Sequence, residues 1–167
     1  MPRSFSVSDE SPASVEQFHA ALSGEDYWLA RLAASGESTT FESLIVDSDQ
    51  TVRMVVVQDV GRDLLPGILA RFYRRDLTVR HAETWRSIGE HQLRGEISVT
   101  VSGGPGSGCG VALVTPNENG SRLTVSGTVE FEVPLVGGII ENFLAREFTR
   151  GIPELQRFTT TWIGQHC

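Results

Sequence analysis

The sequence predicts an α+β fold: a curved antiparallel β-sheet wrapped around one long C-terminal helix, with two short helices after the first strand. Three observations carry this expectation. A long strand alternates regularly from Ser121 to Val133, a proline-glycine corner follows it, and an amphipathic helix runs on to Trp162. A strand that long must curl, and a helix that long must be gripped by other elements.

In the strand, Leu123, Val125, Val129, Phe131 and Val133 share one parity. Arg122, Thr124, Ser126, Thr128, Glu130 and Glu132 hold the other, which is the pattern of one buried and one wet face. Gly127, on the apolar parity, marks a bend, a bulge or a close approach. The corner is Pro134, Leu135, Val136, Gly137 and Gly138, where proline ends ladder pairing and the glycines permit unusual backbone angles. Ile140, Phe143, Leu144, Phe148, Ile152, Leu155, Phe158 and Trp162 then recur at three- and four-residue steps, while Glu141, Arg146, Glu147, Arg150, Glu154 and Arg157 mostly take the other side. The helix predicted over 139–162 would span roughly 36 Å. Gly151 and Pro153 predict a kink, with two successive helices as the alternative.

The earlier elements follow from similar signals. Phe5 and Val7 place a short strand over 3–8. Ser11-Pro12 reads as a helix start, with Val15, Phe18, His19 and Leu22 on one face. Ser23-Gly24 breaks that helix, and Tyr27, Trp28, Arg31 and Leu32 indicate a second. Strands over 40–46 and 52–58 are joined by the polar turn Asp47-Ser48-Asp49-Gln50. Met54-Val55-Val56-Val57 is apolar on both parities and predicts a strand covered on both sides. The connection over 59–75 holds Leu64, Leu65, Leu69, Phe72 and Tyr73, too apolar for a solvated loop, and reads as a short helix or flap. Strands over 77–86 and 92–101, a glycine-rich turn over 103–110, a strand over 111–115 and the Asn119-Gly120 turn lead into the final strand.

At 167 residues and 18.3 kDa, one domain over 1–167 is expected, with 40% hydrophobic and 21% charged residues. The net charge of -7 argues against a nucleic-acid partner. Arg71, Arg74, Arg75 and Arg80 read as a solvated turn. The chain has no lysine, which excludes Schiff-base chemistry, pyridoxal attachment and a Walker lysine. The first residues lack a secretory signal and no apolar run is long enough for a transmembrane segment. Cys109 and Cys167 read as free thiols in a reducing cytoplasm. His19, His81, His91 and His166 are scattered, so no metal or other cofactor is expected. Gly106-Ser107-Gly108 lacks the first glycine of a serine elbow, Pro105 standing there instead.

The order of elements is similar to that of the START-like superfamily with its helix-grip fold. That superfamily includes pollen-allergen-like proteins, aromatic polyketide cyclases and lipid carriers. Within it the chain resembles an uncharacterised actinobacterial branch. The resemblance rests on Arg3-Ser4-Phe5, Leu65-Pro66, Glu83-Thr84-Trp85, the run from Val133 to Gly138 leading into Ile140-Glu141, and Thr161-Trp162. It covers essentially the whole chain. It implies a cavity between sheet and final helix that often holds a lipid, sterol, polyketide or other hydrophobic small-molecule ligand, such as a fatty acid, and it implies no reaction.

One strand holds the most informative polar pair. If Leu77, Val79 and Trp85 face inward, His81 and Glu83 do too, as a polar anchor or acid-base pair in an apolar pocket. The other parity turns Ala82 and Thr84 inward and leaves the pair in solvent, and both readings stand at this point. The candidate ligand-contacting residues are Met54, Val56, Leu65, Leu69, Val79, His81, Glu83, Ile97, Val99, Leu113, Val125, Phe143 and Phe148. The leading expectation is binding or transport of a hydrophobic small molecule, without catalysis. Access would be gated by the 64–73 flap and the helix pair. The alternatives are a polyketide cyclase or dehydratase using His81, Glu83 or Arg53, and an interaction module using the outer sheet face near Val55 and Val57. A homodimer stays open.

Overall fold

The computed structural model describes residues 2–35, 39–60, 77–102, 106–132 and 137–166. The 64–73 flap, with Leu65 and Leu69, lies outside the described residues, as do Arg71, Arg74, Arg75, Cys167 and most of the proline-glycine corner. Strand β1 (Arg3–Ser11) is followed by helices α1 (Val15–Leu22) and α2 (Glu25–Ser35). Strands β2 (Thr39–Val46), β3 (Val52–Val60), β4 (Leu77–Ile88), β5 (Gln92–Ser102), β6 (Gly106–Asn117) and β7 (Gly120–Phe131) follow, and the long helix α3 (Gly137–His166) ends the chain. The strands form one seven-stranded sheet in the order β1-β7-β6-β5-β4-β3-β2, every neighbouring pair antiparallel. This is the α+β helix-grip architecture that the sequence predicts.

The long alternating strand forms as read. Val125, Val129 and Phe131 are buried and Leu123 packs against the core, while Arg122 and Ser126 are exposed. The parity extends back to Ser121, which is fully buried and donates its hydroxyl to the Ala13 carbonyl at 2.7 Å. That bond fixes the β1–α1 connection onto the start of β7. Gly120 is needed there: a Cβ would run into the Ser11 carbonyl and Pro12.

Helix α1 starts three residues later than Ser11-Pro12 predicts. Ser11 ends β1, and its hydroxyl accepts the Ala13 amide at 3.1 Å. The cap is Ser14, in a capping box with Gln17: the Ser14 hydroxyl accepts the Gln17 amide at 3.1 Å, and the Gln17 side chain accepts the Ser14 amide at 2.9 Å. Trp28 binds α2 to α1, donating its indole N–H to the Leu22 carbonyl at 2.7 Å. The β2–β3 turn over 47–50 also forms, with Gln50 left-handed at φ 67° and its carbonyl 2.7 Å from His19 Nε2.

Three expectations are corrected. The glycine-rich segment is not a turn over 103–110, because β6 begins at Gly106, well before 111. Glycines alternating with Ser107 and Cys109 carry no hydrophobic alternation, so this half of the strand was invisible to periodicity. β3 is covered chiefly on one side: Val52, Met54 and Val56 are buried, but Val55 and Val57 are half-buried. Glu141 does not take the solvent side of the last helix. It is 2% exposed, and its Oε2 accepts the Phe131 amide at 3.0 Å, tying the first turn of α3 to the end of β7.

α3 runs through Gly151 and Pro153 as one helix rather than two. Proline removes one backbone donor. Buried Ala145 before it and Gln156, Thr159 and Ile163 after it hold both halves down, so tertiary packing outweighs the local defect. The helix packs against β1 and β7, and α1 and α2 close one end of the concavity. The core between them includes Tyr27, Trp28, Val52, Leu93 and Ile140, each at most 1% exposed.

Gly95 sits opposite Trp85 in the β4–β5 ladder, and the indole lies flat across it. A Cβ there would stand 2.7 Å from the ring. Gly95→Ala is therefore expected to destabilise the fold by about 1–3 kcal/mol through displacement of Trp85. Urea unfolding of the two proteins measures this, with an unchanged midpoint as the contrary result.

Candidate functional site

Between the sheet and α3 lies a pocket of about 260 Å³. The inward parity of four strands builds its floor: Glu83 and Trp85 from β4, Ile97 and Val99 from β5, Ala112 and Val114 from β6, Val125 and Val129 from β7. α3 roofs it with Phe148, Ile152, Leu155 and Gln156, and Phe18, Leu22, Tyr27 and Arg31 close the end formed by α1 and α2. Phe148 stacks on Phe5 of β1 with ring centroids 5.6 Å apart.

The space exists partly because three wall positions are glycines: Gly108, Gly110 and Gly151. A Cβ at Gly151 meets nothing within 4 Å, and one at Gly108 meets only the Thr128 carbonyl at 3.5 Å. Side chains would fit at both places, and the wall lacks them.

The polar end of the pocket is organised by Glu83, only 3% exposed. Its Oε1 accepts from Arg31 Nη2 at 3.0 Å and from His81 Nε2 at 2.8 Å, and its Oε2 accepts the Trp85 indole N–H at 2.8 Å. The strand parity left open by sequence is thereby decided: Glu83 and Trp85 face inward, His81 is one-third exposed at the wall, and Ala82 and Thr84 lie on the other face. Burial acts to raise the Glu83 pKa. The Arg31 charge, then the His81 and Trp85 hydrogen bonds, outweigh it and hold the carboxyl well below the usual carboxylate range. Burial likewise opposes the Arg31 charge, but Glu83 and Tyr27 hold its pKa above the ordinary value. Because the ionised carboxylate can only accept, His81 Nε2 carries the proton in this contact. The Arg31 guanidinium also lies over the Trp28 ring, 4.8 Å from its centroid. Tyr27, whose pKa is raised by burial, bonds Thr159 Oγ1 at 2.7 Å, and Thr159 donates to the Leu155 carbonyl.

Of the candidate residues, His81, Glu83, Ile97, Val99, Val125 and Phe148 meet at this pocket. Met54 and Val56 are buried in the core on β3 but form no part of its wall, and half-buried Val79 and Phe143 also stand apart from it. Leu113 is misplaced by one residue: Ala112 and Val114 occupy the inward parity of β6, so Leu113 points to the opposite face. Arg53 is exposed and pairs with Asp47 at 3.2 Å, away from the pocket. Sequence reasoning missed Arg31 and Gln156. Arg31 lies four residues after Tyr27, which puts both on one face of α2. Gln156 follows Ile152 by four on the apolar stripe of α3, a polar interruption that was the available signal. Among the described residues, no cluster of three histidines, cysteines or carboxylates could hold a metal ion, and no helix is long and apolar enough to cross a membrane.

A family model described as "Protein of unknown function (DUF2505)" matches residues 6–163. Uncharacterized protein Rv0481c of Mycobacterium tuberculosis is 35% identical over 170 residues, covering 98% of each chain. Mb0491c of Mycobacterium bovis matches equally, at 35% over 170 residues. Among solved structures, TTHA0849 from Thermus thermophilus matches with a TM-score of 0.60 at 15% identity, over 98% of this chain and 99% of that one. Ara h 8.0201 matches with a TM-score of 0.58 at 11% identity, over 99% of both. A Thalictrum flavum norcoclaurine synthase point mutant matches with a TM-score of 0.53 at 14% identity, over 99% and 96%. At these identities the structural likeness shows the fold alone, a Bet v 1-like helix grip, and the mycobacterial relatives agree with the actinobacterial resemblance.

Glu83→Gln leaves Arg31 beside an uncharged partner, and is expected to cost about 3 kcal/mol in urea unfolding at neutral pH, as breaking a buried pair does. The sign with pH follows from the depressed folded-state pKa. The Glu83 contribution is fully present above the unfolded carboxylate value of about 4.3 and is lost as pH falls below it toward the folded value. The gap between wild type and Glu83→Gln should therefore narrow in acid. A gap that stays constant from pH 7 to pH 3 would remove Glu83 as the anchor.

Proposed function

The chain belongs to the DUF2505 family, and from that premise and the geometry of its pocket we propose that it binds or carries an apolar small molecule, lipid-like or polyketide-like, in the cytoplasm. The observation that carries this reading is the glycine-relieved, largely apolar pocket of about 260 Å³ between sheet and helix. Engineered apolar cavities of about 150 Å³ already bind benzene. A few convergent polar groups at one end of an apolar hollow are the usual composition of a small-molecule site.

Catalysis is the second reading, and it rests on His81. Glu83 is a poor proton carrier, since three donors stabilise its ionised form. His81 is a titratable wall group that meets both solvent and pocket and sits beside Glu83. An enzyme, norcoclaurine synthase, does share the fold. The outer-face alternative is the weaker one, since Val55 and Val57 are half-buried rather than exposed.

Organic extraction of freshly purified protein followed by mass analysis is expected to release an apolar compound, and the uncharged probe N-phenyl-1-naphthylamine should bind with micromolar affinity. Gly151→Leu and Gly108→Leu, which place a side chain into the hollow, should abolish probe uptake while keeping a cooperative unfolding transition. Probe binding undiminished in both variants would exclude this pocket as the site.

A further inference from the structure

Resting on that pocket reading, we infer that the ligand is uncharged and presents a hydrogen-bond acceptor, such as a ketone, ester or lactone oxygen, to the side-chain amide of Gln156, and that a carboxylate is discriminated against.

Two independent observations converge on this. The first is the charge accounting of the wall. Arg31, the partly buried cation there, is paired with Glu83 at 3.0 Å and stacked on Trp28. His81 bonds the same carboxylate at 2.8 Å. Glu147 at the rim adds a negative charge, paired with exposed Arg150 at 3.6 Å. Among the described residues, no wall cation is left over to meet a ligand carboxylate. Burying that carboxylate beside Glu83 and Glu147 would leave it uncompensated, which is strongly unfavourable.

The second observation is Gln156 itself. It lines the pocket at 3% exposure, and its Nε2 is buried without a hydrogen-bond partner. Buried amide donors are almost always satisfied, and a native exception calls for an explanation. Gln156 is a residue of the wall, so an acceptor bound in the pocket against its amide would satisfy this donor. The neighbouring wall hydroxyls are already engaged: Tyr27 bonds Thr159, and Thr128 Oγ1 lies 3.4 Å from Cys109 Sγ. The unmet donor is thus neutral, and a neutral acceptor is its complement.

The test is displacement of N-phenyl-1-naphthylamine by three compounds of equal chain length, octane, 2-octanone and octanoate at pH 8, from wild type and Gln156→Met. Methionine keeps the length and apolar bulk but has no donor. For wild type, 2-octanone should compete about tenfold better than octane, the worth of one buried hydrogen bond, with octanoate the weakest of the three. In Gln156→Met the ketone should lose its advantage over octane, while octane itself competes as before. Octanoate equal to or better than the ketone would overturn the inference, as would a ketone preference that survives in Gln156→Met. If octane and octanoate compete but the ketone does not, the inference fails while the pocket reading stands. If none of the three competes, the pocket reading fails and takes the inference with it.

Discussion

The buried carboxylate of Glu83 is the interaction on which the arrangement of this protein depends. A charge that deep is tolerated only when its lone pairs are met. The donors that meet it come from different places in the chain: Arg31 from the second helix, and His81 and Trp85 from either side of Glu83 on the same strand. Satisfying one carboxylate therefore fixes where α2 stands over the sheet, which rotamer Trp85 takes and how His81 is turned. Trp85 in turn needs the bare backbone of Gly95 on the next strand. A single electrostatic requirement thus reaches from the helix pair across two strands.

Around that anchor, packing is uneven, and the unevenness makes the site. α3 is fastened at its first turn by Glu141 to the end of β7, and near its far end by apolar burial of Ile163 and a 2.6 Å contact between Thr160 and Ser11. Between these fixed points the helix bridges the concave sheet, and glycines on both surfaces withhold the side chains that would fill the gap. The hollow is a product of where bulk is absent, while the polar end is a product of where charge must be compensated.

Much of the fold was legible in the sequence because it is carried by periodicity. β7 and α3 bury long, regular apolar sets, and the 47–50 turn is spelled by its polar residues. What escaped was whatever the alphabet of hydrophobic and polar cannot encode. The first half of β6 alternates glycine with Ser107 and Cys109 and shows no hydrophobic pattern, and Glu141 is a charged residue whose burial depends on a backbone donor at the end of the preceding strand. The site was half legible for the same reason. His81 and Glu83 stood out as polar residues on an apolar strand, but their orientation required Arg31, a partner 52 residues away in sequence. Leu113 was misplaced because one residue of register separates wall from exterior.

β2 is one of the two terminal strands of the sheet, and its pairing with β3 skips Glu42 between Phe41 and Ser43. A lone extra residue breaks the even row of backbone groups that another chain would need as a template, and it sets a carboxylate at the margin. Continuous sheet extension from one copy to the next is therefore frustrated at that border, so any twofold assembly through this margin has to be built from side-chain surfaces instead of shared ladders.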